Sequence, residues 1–250
     1  MHANAYEVGH STNHLHGILT IITIVKNDQA GLDKTLQSAR NYAPWVEHCV
    51  IDGSDAPLDV GSSDGMVRYF FGRDYGISHA FNRGVLQARG KYVLFLNAGD
   101  ELIGDLAPAL EFGLANEEVD CALFSVNRIH LSGETSTYRP KLRYLAVAMT
   151  VPHQGMIIKR DLFSIIGLFP IQKYSMDHYI ASSIVRHGSR FSIRCVNNVI
   201  ATYPHGGHST AGGIKPFIYN VWNVARIAPK KLPWAVLANF YLSIKSALTR

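Results

Sequence analysis

The sequence predicts an α/β fold: a mainly parallel sheet flanked by helices and followed by amphipathic C-terminal helices. Three observations carry this. Short apolar runs rich in β-branched and aromatic residues, at 18–25, 46–51 and 92–96, have the unbroken hydrophobicity of strands covered on both faces of a parallel sheet. Segments with apolar residues at helical spacing lie between such runs, and that alternation builds parallel sheets. The runs also end abruptly in polar turns that carry a carboxylate, Asp52-Gly53-Ser54-Asp55 after 46–51 and Asn97-Ala98-Gly99-Asp100 after 92–96. In an open α/β sheet the carboxyl edge of the strands is where ligands bind.

Taken in order, residues 1–17 are polar, contain His2, His10, His14 and His16 and lack the apolar core of a signal peptide. A disordered tail and no export are expected. Lys26, Asn27 and Asp28 close the first strand, and Leu32, Leu36 and Ala39 fall on one face of the next helix. After the second strand and a third at 67–71, the turn-rich stretch Gly72 to Gly76 leads into a helix with Ile77, Ala80, Phe81, Val85 and Ala88 inward, ended by Gly90. The 92–96 strand follows at once, then a helix around 106–114 and a strand at 121–126.

Beyond this the pattern changes. Residues 128–138, centred on Ser132 and Gly133, predict a β-hairpin, and 151–158 a short strand carrying Pro152, His153 and Gln154. One or two helical turns are expected at 161–166. Ser175, Met176, Asp177 and His178 open a helix with Ile180, Ile184 and Val185 inward, stopped by Gly188. Two late strands, 191–196 and 199–203, precede the loop His205-Gly206-Gly207-His208-Ser209. After Gly213 come two helical stripes, Ile214, Phe217, Ile218, Val221, Trp222 and Ala225, then Leu237, Phe240, Tyr241, Ile244 and Leu248. Neither is long enough to span a bilayer. Among basic residues and with Trp222 and Trp234, they suit a membrane interface, the reading preferred here, or packing on the domain or a second subunit.

At 250 residues and 47% hydrophobic content, one domain with an appendage is expected. A net charge of +5 suits an anionic partner such as nucleotide phosphates or an acidic membrane. The basic residues form no run interleaved with aromatics, which argues against nucleic acid. Cys49, Cys121 and Cys195 lie far apart in apolar segments and predict buried free thiols in a reducing, cytoplasmic compartment, with no zinc site. No G-x-G-x-x-G follows the first strand, which argues against a dinucleotide oxidoreductase and leaves mononucleotide binding open.

The order of motifs resembles that of the family-two glycosyltransferases. Their donor-binding half is matched by the strand end Thr23-Ile24-Val25-Lys26-Asn27, by V-I-D-G-S-D at Val50 to Asp55, by R-D-Y-G-I-S-H-A-F-N-R-G at Arg73 to Gly84 and by F-L-N-A-G-D at Phe95 to Asp100. Their acceptor half is matched by H-Q-G-M at His153 to Met156, G-L-F-P at Gly167 to Pro170 and S-M-D-H-Y at Ser175 to Tyr179. The resemblance implies a GT-A (nucleotide-diphospho-sugar transferase), Rossmann-like catalytic domain over 18–213. Within it 18–126 would bind the donor and 127–213 the acceptor, with 214–250 as an amphipathic helical appendage. It also implies a nucleotide-diphosphate sugar donor, a glycan or lipid-linked saccharide acceptor and inversion at the anomeric carbon. Where the family has D-x-D, this chain has Asn97, Ala98 and Gly99, and Asp100 alone remains. Relatives that build bacterial surface polysaccharides of the colanic acid type look similar.

The resemblance makes Asp177 the catalytic base, places His153, Gln154 and His178 on the acceptor side, and makes Asp100 the ligand of a magnesium or manganese ion beside Asn97. Loss of the other carboxylates weakens such a site. Asp52 resembles the family's nucleoside-recognising carboxylate, the alternative being a turn cap. Asp74 is a donor contact or the N-cap of the helix after it, and Arg83 a diphosphate contact or a solvated helix charge. His153, His205 and His208 are phosphate donors, metal ligands or structural hydrogen-bonders, with His208 the best placed to close a loop over the diphosphate. The expected protein is a cytoplasmic enzyme, at the inner face of the membrane, that transfers a sugar to a growing bacterial glycan. A non-catalytic nucleotide-sugar or glycan-binding protein would bind donor without turnover. A nucleotidyltransferase would release pyrophosphate.

Overall fold

The computed structural model describes residues 18–42, 46–61, 67–104, 106, 111, 119–204 and 215–248. Strands β1 (Leu19–Val25), β2 (Val46–Asp52), β3 (Val67–Phe71) and β4 (Tyr92–Asn97) pair in parallel in the order β3-β2-β1-β4. Helix α1 (Gln29–Ala39) follows β1, and α2 (Ile77–Gln87) connects β3 to β4. Asp28 caps α1 by accepting a hydrogen bond from the Gly31 N–H. Alternate residues of each central strand feed opposite cores. Ile22, Val93 and Phe95 lie with Phe81 and Val85 of α2, whereas Leu19, Ile21, Leu94 and Leu96 face the other way with Phe124. Both faces are therefore dry, as the continuous apolar runs require. Gly84 lets α2 approach β1, since a Cβ there would collide with Ile22.

The second half of the sheet is mixed. A late strand, β8 (Met156–Lys159), lies antiparallel between β4 and β6 (Cys121–Ile129); β6 runs parallel to β9 (Ile193–Pro204), and β9 antiparallel to β5 (Glu101–Leu102). The expected hairpin forms between β6 and β7 (Thr135–Tyr138), turning at Gly133, whose φ of 84° suits glycine. The parallel character is thus confined to the first four strands and the β6–β9 pair. Of the antiparallel pairs only β6–β7 is joined by a short turn, and the others bring together strands far apart in the chain.

Three expectations change. The two late strands are one, β9, irregular where its register against β6 shifts near Ser125. His153 and Gln154 lie not in a strand but on a single 3-10 turn, His153–Gly155, ahead of β8. Cys49 and Cys121 are buried but Cys195 is exposed. The tail 1–17, most of the helix around 106–114, and the loop holding His205 and His208 lie outside the described residues.

Helix α3 (Met176–Arg186) packs its Ile180, Ala181 and Ile184 into the core, and the C-terminal pair α4 (Lys215–Ile227) and α5 (Leu232–Leu248) follows. The pair buries Asn223, Val224, Ile227, Ala235 and Asn239. Asn239 Nδ2 donates to the Val147 carbonyl at 2.7 Å. No helix among the described residues is long and apolar enough to cross a membrane.

Candidate active site

The register levels the carboxyl ends of the parallel strands, with Val25 opposite Asp52 and Ile24 beside Asn97. Asp52 has no exposed surface. Its carboxylate accepts from Ser54 N at 2.8 Å, Leu58 N at 3.0 Å and Tyr69 Oη at 2.6 Å. Burial pushes its pKa up, but these donors outweigh burial and hold it below the usual range. Asp52 therefore braces the loop at 53–58, as a turn cap does.

Asp74 lies directly over Gly53, where any Cβ would strike it, and accepts from Gly76 N at 2.9 Å. The N-cap of α2 is Gly76 and not Asp74, so the carboxylate stays at the mouth of the edge. Arg83 donates to the Gly72 carbonyl at 2.7 Å, pinning its half-buried guanidinium to the end of β3. Turn residues of β2, β3 and α2 thus share one rim.

At the end of β4 the chain folds back on itself. Asp100 Oδ2 accepts from Asn97 N at 2.8 Å and from Gln154 Nε2 at 2.9 Å, while Thr35 Oγ1 donates to the Asp100 carbonyl at 2.7 Å. Gly99, at φ 93°, makes the tight turn possible. Asp100 is 4% exposed, and burial raises its pKa despite the opposing pull of His153, Gln154, the Asn97 N–H and Lys34.

His153, next to Gln154, is the hinge between the two halves. Its Nδ1 lies 3.5 Å from Asp177 Oδ2, an ion-pair contact and longer than a tight hydrogen bond. Its ring meets Phe81 edge-on at 5.5 Å, and its enclosed Nε2 has no hydrogen-bond partner. Asp177 is in the first turn of α3, and its Oδ1 accepts from the His178 N–H at 2.8 Å. Burial would raise its pKa. His153 and the His178 N–H outweigh burial and keep Asp177 below the usual carboxylate range. The residue before the helix, Ser175, is left-handed (φ 56°), and its carbonyl accepts from Asn223 Nδ2 of α4 at 2.8 Å.

His178 does not join this group. Its ring is fully buried, 3.1 Å from Ser182 Oγ, and burial pushes its pKa down to about 4, so it is a neutral core histidine rather than an acceptor contact. The sequence reading missed Tyr203, Tyr138 and Arg128. Tyr203 has its hydroxyl pKa raised by burial first, then by Tyr138 and by the charges of Asp100 and Asp177, so it senses both carboxylates. Arg128 Nη1 donates to Tyr138 Oη at 3.0 Å on the same side of the sheet. Asn82 was missed as well. It bonds both ways to the backbone of Phe169, at 2.9 Å each, tying the N-R-G motif to G-L-F-P ahead of α3. Only alternating polar residues in β6, β7 and β9 could have pointed to the first three.

Among the described residues, no three His, Cys, Asp or Glu side chains gather as a metal-holding group. The donors around Asp100 are one carboxylate and two buried amide oxygens without a partner, Asn97 Oδ1 and Gln154 Oε1. Such an oxygen set fits magnesium or manganese when water and substrate phosphates complete the shell.

A family model described as glycosyl transferase family 2 matches residues 20–176. Two uncharacterized glycosyltransferases of Mycobacterium tuberculosis, strains CDC 1551 and H37Rv, are each 30% identical over 215 residues, covering 76% of this chain and 77% of theirs. Among solved structures, S. aureus TarS 1-349 in complex with UDP-GlcNAc matches 84% of this chain and 67% of its own at TM-score 0.59 and 12% identity. The chain spans 39% of another, longer TarS structure. The mannosyltransferase PcManGT of Pyrobaculum calidifontis, in complex with GDP-Man and Mn2+, matches 94% of this chain and 76% of its own at TM-score 0.59 and 18% identity.

Proposed function

Because this chain belongs to glycosyl transferase family 2, has the GT-A fold and is a glycosyltransferase, we propose that it moves a sugar from a nucleotide diphosphate to a hydroxyl of a lipid-linked glycan in bacterial polysaccharide assembly, inverting the anomeric carbon. The observation that carries this reading is the pair of carboxylates that meet the His153-Gln154 turn, Asp100 at the edge of the parallel strands, bonded to Gln154, and Asp177 at the head of α3, in contact with His153. The donor complexes of TarS and PcManGT support a nucleotide-sugar partner, and the bacterial relatives support the setting. On this reading the enzyme works at the inner face of the cytoplasmic membrane.

Asp74, Arg83, Asn97 and Asp100 line the side that takes the nucleotide diphosphate. Asp177, held ionised by its neighbours, accepts the proton of the acceptor hydroxyl as that oxygen attacks the anomeric carbon. The new carbon–oxygen bond forms on the face opposite the phosphate. The bond to phosphate breaks, and the nucleoside diphosphate leaves with the electron pair. His153 orients Asp177 and favours its charged form. Asp100 and Asn97 would hold a divalent cation, which would supply positive charge toward the leaving diphosphate.

Mass spectrometry after incubation with a panel of nucleotide sugars and a membrane lipid extract tests this reading. The expected product is a lipid-linked glycan one sugar heavier, with release of a nucleoside diphosphate. Pyrophosphate release, or donor binding with no transfer on any acceptor, would overturn it.

A further inference from the structure

The C-terminal helix pair has two faces of opposite character. The inner face is tied to the catalytic domain through Val224, Ala235, Asn223 and Asn239. The outer face carries Ile218 and Trp222 on α4 and Trp234, Leu237, Phe240 and Tyr241 on α5, each more than half exposed. Their spacings of three and four place each set along one side of its helix. A contiguous exposed apolar surface of this kind marks an interaction site.

Charge identifies the partner. Residues 215–250 contain Lys215, Arg226, Lys230, Lys231, Lys245 and Arg250, and no Asp or Glu. Lys215, Arg226, Lys230 and Lys231 are exposed around the apolar face, and the Arg226 guanidinium lies 5.9 Å from the centre of the Trp222 ring. A second copy meeting this face about a two-fold axis would bring the same positive charge against it, which opposes self-association. The complementary surface is apolar inside and anionic at its rim.

We propose that the outer face of the α4–α5 pair docks on an anionic lipid bilayer. Trp222, Trp234, Leu237 and Phe240 enter the boundary between headgroups and acyl chains, and the basic residues pair with lipid phosphates. This deepens the lipid-linked acceptor reading and rests on it for its purpose, not for its physical basis. Asn223, on the inner face, bonds to Ser175 two residues before Asp177, so the docked pair holds the acceptor half beside the membrane.

Cosedimentation of the full chain with vesicles of phosphatidylcholine, with and without phosphatidylglycerol and with no acceptor present, separates docking from catalysis. Binding is expected only with phosphatidylglycerol and should weaken as salt is added. Trp234→Ser/Phe240→Ser and Lys230→Ala/Lys231→Ala should each lose about tenfold or more in vesicle affinity, while the unfolding transition stays that of the parent. Equal binding to both vesicle types, or unchanged binding by both variants, would overturn the proposal. So would a dimer of the parent, seen by sedimentation equilibrium, that Trp234→Ser/Phe240→Ser abolishes. Intact docking without any lipid-linked product would strike the acceptor assignment alone.

Discussion

Asp100 and Asp177 meet neighbouring residues of one turn, Gln154 and His153, yet their surroundings pull their acidities in opposite directions. Around Asp100, burial prevails over two hydrogen bonds and nearby positive charge, and the proton is held more tightly. Around Asp177, burial loses to His153 and to the first turn of its own helix, and the carboxylate is kept charged. On the proposed reading, Asp100 faces the donor and gains most from positive charge arriving with a ligand. Asp177 is charged in advance by the chain itself, which suits the proposed proton-accepting base.

The sharpest way to break this contrast is Asp177→Asn. The substitution keeps size and much of the local hydrogen bonding, so turnover should fall by about two to four orders of magnitude with little change in melting temperature. Turnover within a few-fold of the parent would move the base elsewhere, with His153 the next group to examine.

A smaller effect compares the two halves through their hidden histidines. His48 in β2, bonded to Thr23 Oγ1 at 2.8 Å, and His178 in α3 are both pushed by burial from 6.5 down to about 4. Between those values the unfolded chain binds a proton at each site and the folded chain does not. Stability is then complete above about pH 6.5 and is lost as pH falls toward 4, by up to about 3 kcal/mol per histidine. Denaturant unfolding at a series of pH values should show this, and His48→Gln and His178→Gln should each remove about half of the slope. A flat profile over that window would mean that neither ring is held neutral.

Gln154→Leu probes the donor side more gently. It deletes the side-chain donor to Asp100 and costs about 1–3 kcal/mol in a buried setting. Donor affinity should fall by about tenfold, with a smaller loss of turnover at saturating donor, which steady-state kinetics will separate. An unchanged donor KM would detach Asp100 from the donor.

The first half of the chain was legible because its signals are local. Runs such as 92–96 and helical spacings such as Ile77, Phe81 and Val85 fix β4 and α2 by period alone, and parallel pairing then brings Asn97 to the β1–β2 edge. The second half depends on partners far apart in the chain, which leave no period to read. Gln154 meets Asp100 across 54 residues and Asn82 meets Phe169 across 87. The insertion of β8 between β4 and β6 and the 3-10 turn that carries His153 likewise rest on partners distant in sequence. Cys195 was misjudged for a related reason: the first half of β9 is largely exposed, and Cys195 lies in that part of the strand.

The division of labour between the two carboxylates can be measured directly by calorimetric titration of the donor nucleotide sugar, with its divalent cation, into Asp100→Asn and Asp177→Asn, followed by transfer assays on the same samples. A crossover is expected: Asp177→Asn binds donor as the parent does and fails to transfer, whereas Asp100→Asn loses donor affinity and the response to cation. Equal donor affinity in both variants, or a binding defect confined to Asp177→Asn, would contradict it.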